Sequence, residues 1–209
     1  MLMLRNILAS LMAVCVLSQV SSVLGADLVL GFRMKKQKHL HMHDAAATTK
    51  FVDTLKMLQV DVKTAQHGNH QDVIYSAPQW KSLALKKPSQ LKEWKKWLAD
   101  NGFETLVSYP AGKAEVSKSK EKDPSEIVQF RAAKQVAMHI HNETSAKEAV
   151  AIFKALGCQV ERSTHNDHFD VKIQCPQWRE IAMPDHKSAS AWEKYLKDAG
   201  LETKHEHRH

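Results

Sequence analysis

"CQVERSTHNDHFDVKIQC", residues 158–175, alternates in character on both sides of the two-residue step Asn166-Asp167. Asn and Asp tolerate the positive φ that a tight two-residue hairpin requires. Counting outward from the turn pairs His165 with His168, Ser163 with Asp170, Glu161 with Lys172, Val160 with Ile173 and Cys158 with Cys175. Directly opposed residues share a face of a sheet. Val160, Ile173 and both cysteines therefore take the buried face, while His165, His168, Asp170 and the Glu161/Lys172 pair take the other.

The same device stands earlier in the chain. "QHGNH" (66–70) matches "THNDH" (164–168) at an offset of 98 residues, with Gly68-Asn69 in the turn. At that offset residues 36–105 align with 134–203 without a gap, and 23 of 70 positions are identical. "APQWKSLAL" (77–85) matches "CPQWREIAM" (175–183), and "EWKKWLADNGFET" (93–105) matches "AWEKYLKDAGLET" (191–203). This period is too long for a solenoid unit and suits two copies of a small domain.

Each copy has a readable order. "KQVAMHIHN" (134–142) alternates Val136, Met138 and Ile140 against Ala137, His139 and His141, the period of a half-buried strand. Ser145 and Glu148 form a capping box ahead of a helical stripe of Ala149, Ile152, Phe153 and Leu156, which stops at Gly157. The hairpin follows, and "WREIAM" extends its second strand or adds another after Pro176. Ser190 and Glu193 cap a second helix bearing Trp192, Tyr195, Leu196 and Ala199, and "LETKH" closes as a strand. The order β-α-β-β-(β)-α-β is the split βαβ pattern of ferredoxin-like α+β sandwiches, with helices on one face of an antiparallel sheet and the other face free. The fold class is thus α+β, a tandem duplication. The first repeat spans 26–109 around a core at 36–105, and the second spans 131–209 around a core at 134–203. Residues 110–130, including "PAGKAEVSKSKEKDPSE" (110–126), read as a charged flexible linker.

The free face collects the histidines. In the first strand Met138 and Ile140 point to the helices, which sends His139 and His141 to the face shared by His165, His168 and Asp170. The topology brings the end of strand one to the turn between strands two and three. The first copy repeats the set as His41, His43, His67, His70 and Asp72, although neighbouring positions on that face differ: Lys63 for Glu161, Ala65 for Ser163, Ile74 for Lys172. His-x-His alone is common on strands; the recurrence of the whole set points to metal. Histidines two apart on a strand lie ~6–7 Å apart at Cα, close enough to converge on one ion. Asp72 and Asp170 serve as a further ligand or as the acceptor that orients an imidazole. Imidazole and carboxylate without thiolate suit Zn²⁺, Cu²⁺ or Ni²⁺ over Mg²⁺ or Ca²⁺, with Zn or Cu foremost as the cofactor.

Other residues are read more plainly. Cys158 and Cys175 are expected to form a cross-strand disulfide. Trp80, Trp94, Trp178 and Trp192 are expected in core or rim packing, and Met34, Met42 and Met138 in the core. His205, His207 and His209 have no counterparts in the first copy and read as a frayed tail.

Residues 1–25 have the order of a secretory signal peptide: Arg5, an apolar run from Ile7 to Leu17, then small and polar residues. The expectation is a secreted or periplasmic protein with no membrane span after cleavage; retention as an anchor is the other reading. Removing the segment leaves 29 basic against 23 acidic residues. No arginine cluster or aromatic stripe accompanies that excess, so a nucleic-acid partner is not expected.

The reading is an exported, non-enzymatic metal-binding protein with one site per repeat, for sequestration, delivery or sensing. A secreted interaction module binding a protein or polymer on its sheet face, with pH-sensitive histidines and no metal, is the alternative. A metal-dependent hydrolase ranks below both, because a flat sheet face implies no deep pocket.

Overall fold

The computed structural model describes residues 28–112 and 126–207. The signal-peptide reading of residues 1–25 therefore lies outside the described residues, as does most of the linker.

The first repeat comprises β1 (Leu28–Met42), α1 (Ala45–Met57), β2 (Asp61–His67), β3 (His70–Leu85), α2 (Pro88–Asp100) and β4 (Glu104–Pro110). The second comprises β5 (Glu126–Ile140), α3 (Glu143–Ala155), β6 (Gln159–His165), β7 (His168–Met183), α4 (His186–Asp198) and β8 (Glu202–His207). Every element of the second repeat begins 98 residues after its counterpart, so the register holds through the strands and helices. β5 begins at Glu126, so residues 126–130, read as linker from their neighbours' charge, belong to a strand. Ile127, Val128 and Phe130 are fully buried there. Similarly β1 begins at Leu28, well before the aligned core at residue 36.

Local chemistry explains the element ends. Asp44, Asn142 and Asp185 accept hydrogen bonds from the backbone N–H groups of Ala47, Ser145 and Ser188, capping α1, α3 and α4. Both expected caps thus shift toward the N-terminus: Ser145 and Ser190 lie inside their helices, and a short carboxylate or amide side chain ahead of each first turn holds its free N–H groups. Asn166 and Asp167 take φ of 42° and 62°, the positive pair the hairpin reading requires. β3 and β7 run unbroken past Pro78 and Pro176. Register shifts against β1 and β5 absorb the change of direction without a separate strand.

Each repeat has the strand order 2-3-1-4 with antiparallel neighbours, the ferredoxin-like arrangement. The repeats then join edge to edge. β4 pairs with β7 through Ser108↔Ile181, Tyr109↔Glu180 and Pro110↔Arg179, giving one eight-stranded sheet.

This seam reverses the faces. Leu28, Leu30, Phe32, Tyr75 and Ala77 pack with Phe51, Leu55, Trp97 and Leu98 of α1 and α2. Val128, Phe130, Ile173 and Ile181 pack with Phe153, Leu156 and Leu196 of α3 and α4. Ser108 opposes Val29, on the side of β1 away from α1 and α2, yet it opposes Ile181 on the side that meets α3 and α4. By strand parity, α1 and α2 lie on one face of the sheet and α3 and α4 on the other.

The expectation that each repeat's second face is free is therefore corrected in part for the first repeat: α3 covers the region around Gly31, Trp80 and Leu106, while the end that carries His39, His41 and His67 stays open. Trp80 and Leu106 join the core beneath α3, and a Cβ added to Gly31 would come within 3.0 Å of Ala155 Cβ. Helix α3 packs across the seam, against β1 and β3 of the first repeat and β6 and β7 of the second. Two close-fitting points complete the seam. Arg179, 6% exposed, donates from Nε to Ser108 Oγ at 2.9 Å and from Nη2 to Ser108 O at 3.0 Å. Ser108 Oγ in turn donates to Leu156 O at 2.7 Å.

Candidate metal sites on the open sheet faces

The hairpin register matches the sequence count: His165↔His168, Ser163↔Asp170, Glu161↔Lys172 and Val160↔Ile173. The first strand adds His139↔Asp170 from the other side, so Asp170 stands between a β5 histidine and the β6–β7 turn. The first repeat has His41↔Asp72 and His67↔His70.

Asp72 is the hub of the first cluster. His41 Nδ1 donates to its Oδ1 at 2.6 Å. His70 Nε2, His39 Nε2 and His67 Nδ1 lie 3.4, 3.5 and 3.7 Å from its oxygens. Burial pushes the Asp72 carboxyl up, but the hydrogen bond from His41 and the charges of His41, His39 and His70 outweigh it and hold the group below its ordinary range.

Asp170 anchors the second cluster. His139 Nδ1 donates to Oδ1 at 2.8 Å, and His165 Nδ1 is 3.1 Å from Oδ2. The bond from His139 holds the carboxyl low against partial desolvation. The His168 ring centroid lies 4.6 Å from that of His139 and 4.3 Å from that of His141. His168 Nδ1 donates to Asn166 O at 2.6 Å, which leaves the lone pair on Nε2. Burial first, then the charges of His139, His141 and His165, pushes its pKa down, so it stays neutral near pH 7.

Several groups can therefore hold a metal ion. One ligand atom from each residue lies within 4.8 Å of the others in His139/His141/His168, in His139/His165/Asp170, in His39/His41/Asp72 and in His67/His70/Asp72. Nine of the ten expected ligands fall in these groups. His43 is outside them; its ring stands 5.3 Å from that of His70. His39, which sequence reasoning passed over, takes a place instead. Its signal was present in "KHLHMHD" (38–44), where the alternation begins at His39, but its counterpart Ala137 hid it from a comparison of repeats.

Two further expectations are corrected. Cys158 and Cys175 are buried free thiols rather than a disulfide. They are close enough for one thiol to hydrogen-bond the other, which pushes the Cys158 pKa up. Opposition across a hairpin brings two side chains near, but a disulfide also demands a Cβ–Cβ separation of ~3.5–4.5 Å and a defined torsion. The C-terminal histidines are also no frayed tail: His205 and His207 belong to β8, paired with Val128 and Glu126 of β5. His209 lies outside the described residues. Trp80 and Trp94 are buried, Trp192 packs against the second core, and Met34, Met42 and Met138 pack in or against the two cores.

No family model matches the chain, and no curated protein matches it. Among solved structures, one assigned as a putative glycine cleavage system transcriptional repressor is 10% identical, covering 86% of this chain and 95% of its own, with a TM-score of 0.18. A superposition that loose carries no argument about function. Among the described residues no helix is long and apolar enough to cross a membrane.

Proposed function

We propose that this is an exported, non-enzymatic metal-binding protein that holds a Zn²⁺, Cu²⁺ or Ni²⁺ ion at the open face of each repeat, for sequestration, delivery or sensing. One observation carries the reading. A histidine on the first strand donates to an aspartate on the third, with the turn histidines alongside, in both repeats: His41–Asp72 at 2.6 Å and His139–Asp170 at 2.8 Å. Carboxylate–histidine pairing is the usual outer support of a metal-bound imidazole.

In the second repeat His139, His141 and His168 are the ligands. Asp170 orients the first, and Asn166 O orients the third. In the first repeat Asp72 draws on His39, His41, His67 and His70. The donor set is nitrogen and oxygen, which favours borderline transition ions over Mg²⁺ or Ca²⁺. Export rests on the order of residues 1–25.

The test is metal content by elemental analysis after Zn²⁺ loading and desalting of the full chain. The variant His41→Ala/His70→Ala/His139→Ala/His168→Ala should bind two equivalents fewer than the parent. Equal content in the two proteins would overturn the reading.

A further inference from the structure

A separate polar cluster occupies the corner where β5 begins, α4 begins and β8 ends. Glu126 is 7% exposed. His205 Nε2 donates to its Oε2 at 2.6 Å, and His207 Nδ1 lies 2.9 Å from the same oxygen. His186 Nδ1 is 3.6 Å away. The three imidazoles lie nearly parallel, at 18° to 32° between planes and 5.0 to 5.4 Å between centroids. One ligand atom from each of Glu126, His186, His205 and His207 lies within 4.8 Å of the others.

We infer that this corner is a third metal site, closed by His186, His205, His207 and Glu126, that takes a Zn²⁺-class divalent ion. Three histidines and one carboxylate fill a tetrahedral shell. The outer partners are in place too. His205 Nδ1 is 3.4 Å from Glu193 Oε2, and His186 Nε2 is 3.3 Å from Ser190 Oγ. Each of those imidazoles thus has one nitrogen toward Glu126 and the other toward an orienting group, as metal-bound histidines do.

The site is not part of the duplication. Leu28, Pro88, Val107 and Tyr109 stand at the matching positions of the first repeat, and Lys95 at that of Glu193. The difference follows the architecture. β4 is covered on its outer side by β7, whereas among the described residues β8 ends the sheet. A six-residue strand at that edge pairs with β5 on one side, and no other described strand pairs with it. An ion there ties β8 to the start of β5 and to α4. By strand parity the site lies on the helix-bearing face of the second repeat, opposite Asp170.

The experiment uses the full chain and Zn²⁺ alone. The parent and four variants are compared by elemental analysis after desalting and by the shift of melting temperature with Zn²⁺. The variants are the four-histidine variant of the open-face clusters, His205→Ala/His207→Ala, Glu126→Gln and Glu193→Gln. The open-face variant should keep one equivalent and a Zn²⁺-dependent rise in melting temperature. His205→Ala/His207→Ala should lose one equivalent relative to the parent, and Glu126→Gln should weaken Zn²⁺ binding at this corner. Glu193→Gln should lower affinity by ~10- to 100-fold, as loss of an outer partner does. The inference is overturned if the open-face variant binds no Zn²⁺, or if His205→Ala/His207→Ala and Glu126→Gln bind as the parent does. Those outcomes leave the open-face sites untouched, and their failure in turn leaves this one standing.

Discussion

Ser108 of β4 stands directly opposite Ile181 of β7, and that one pairing puts the open face of the first repeat on the helix side of the second. The histidine clusters around Asp72 and Asp170 consequently lie on opposite faces of a single sheet by strand parity. They cannot merge into one shared cavity, so an ion placed at either cluster meets the ligands of that repeat alone.

The seam depends on Ser108. Its buried hydroxyl accepts from Arg179 and donates to Leu156 O. Ser108→Ala leaves both partners short inside the protein and should cost about 1–3 kcal/mol. Equilibrium urea unfolding measures it, and a change below about 0.5 kcal/mol would show that the network does not hold the repeats together.

Gly157 and its counterpart Gln59 end α3 and α1 with φ of 80° and 58°. A Cβ on Gly157 would approach Arg179 Cζ to 2.8 Å. Gly157→Ala should therefore destabilise by about 1–3 kcal/mol, combining backbone strain with displacement of the guanidinium. Gln59→Gly relieves a left-handed residue and should stabilise by up to about 1 kcal/mol. Thermal melts of the two variants should move in opposite directions.

Acid stability has two parts in chelator-treated protein. Asp170 sits below its ordinary value of 3.8, so its contribution is present above that pH and is lost as pH falls through the lower folded value. Asp170→Asn should flatten the acid limb of melting temperature against pH below about pH 4. His168 is lowered from 6.5, so its contribution is full above that pH and declines as pH falls toward the folded value. His168→Gln should remove this upper step and keep the lower one. An unchanged upper step would exclude His168 as its source.

The thiols of Cys158 and Cys175 are buried. A thiol reagent should leave both unmodified in the native chain and label both in denaturant without reductant. Failure to label after denaturation would mean that they are joined. The first repeat carries Val60 and Ala77 at these places, so Cys158→Val/Cys175→Ala should fold with a melting temperature within a few degrees of the parent.

Much of this was legible in one dimension. The turn pairs Gly68-Asn69 and Asn166-Asp167 set hairpin parity, which placed the turn histidines with Asp72 and Asp170 on one face. His39 was missed because the comparison of copies rewards identity, and Ala137 stands at its counterpart. The helices start earlier than Ser145 and Ser190 suggest, because Asn142 and Asp185, three and five residues ahead of them, are the side chains that cap the first turns. The C-terminal cluster escaped for another reason: Glu126 and His207 are 81 residues apart and meet only because β5 and β8 pair.

By itself, then, the sequence determined the duplication, the α+β order of each repeat and the side of each strand on which its histidines fall. Those properties follow from local turn chemistry and a period-two alternation. Only the tertiary structure decided that β4 pairs with β7, that the two open faces point opposite ways and that Glu126 gathers three histidines at the free edge. Pairing between strands distant in sequence is set by which edges are left uncovered and which side chains fill the space between layers, and no local pattern encodes either.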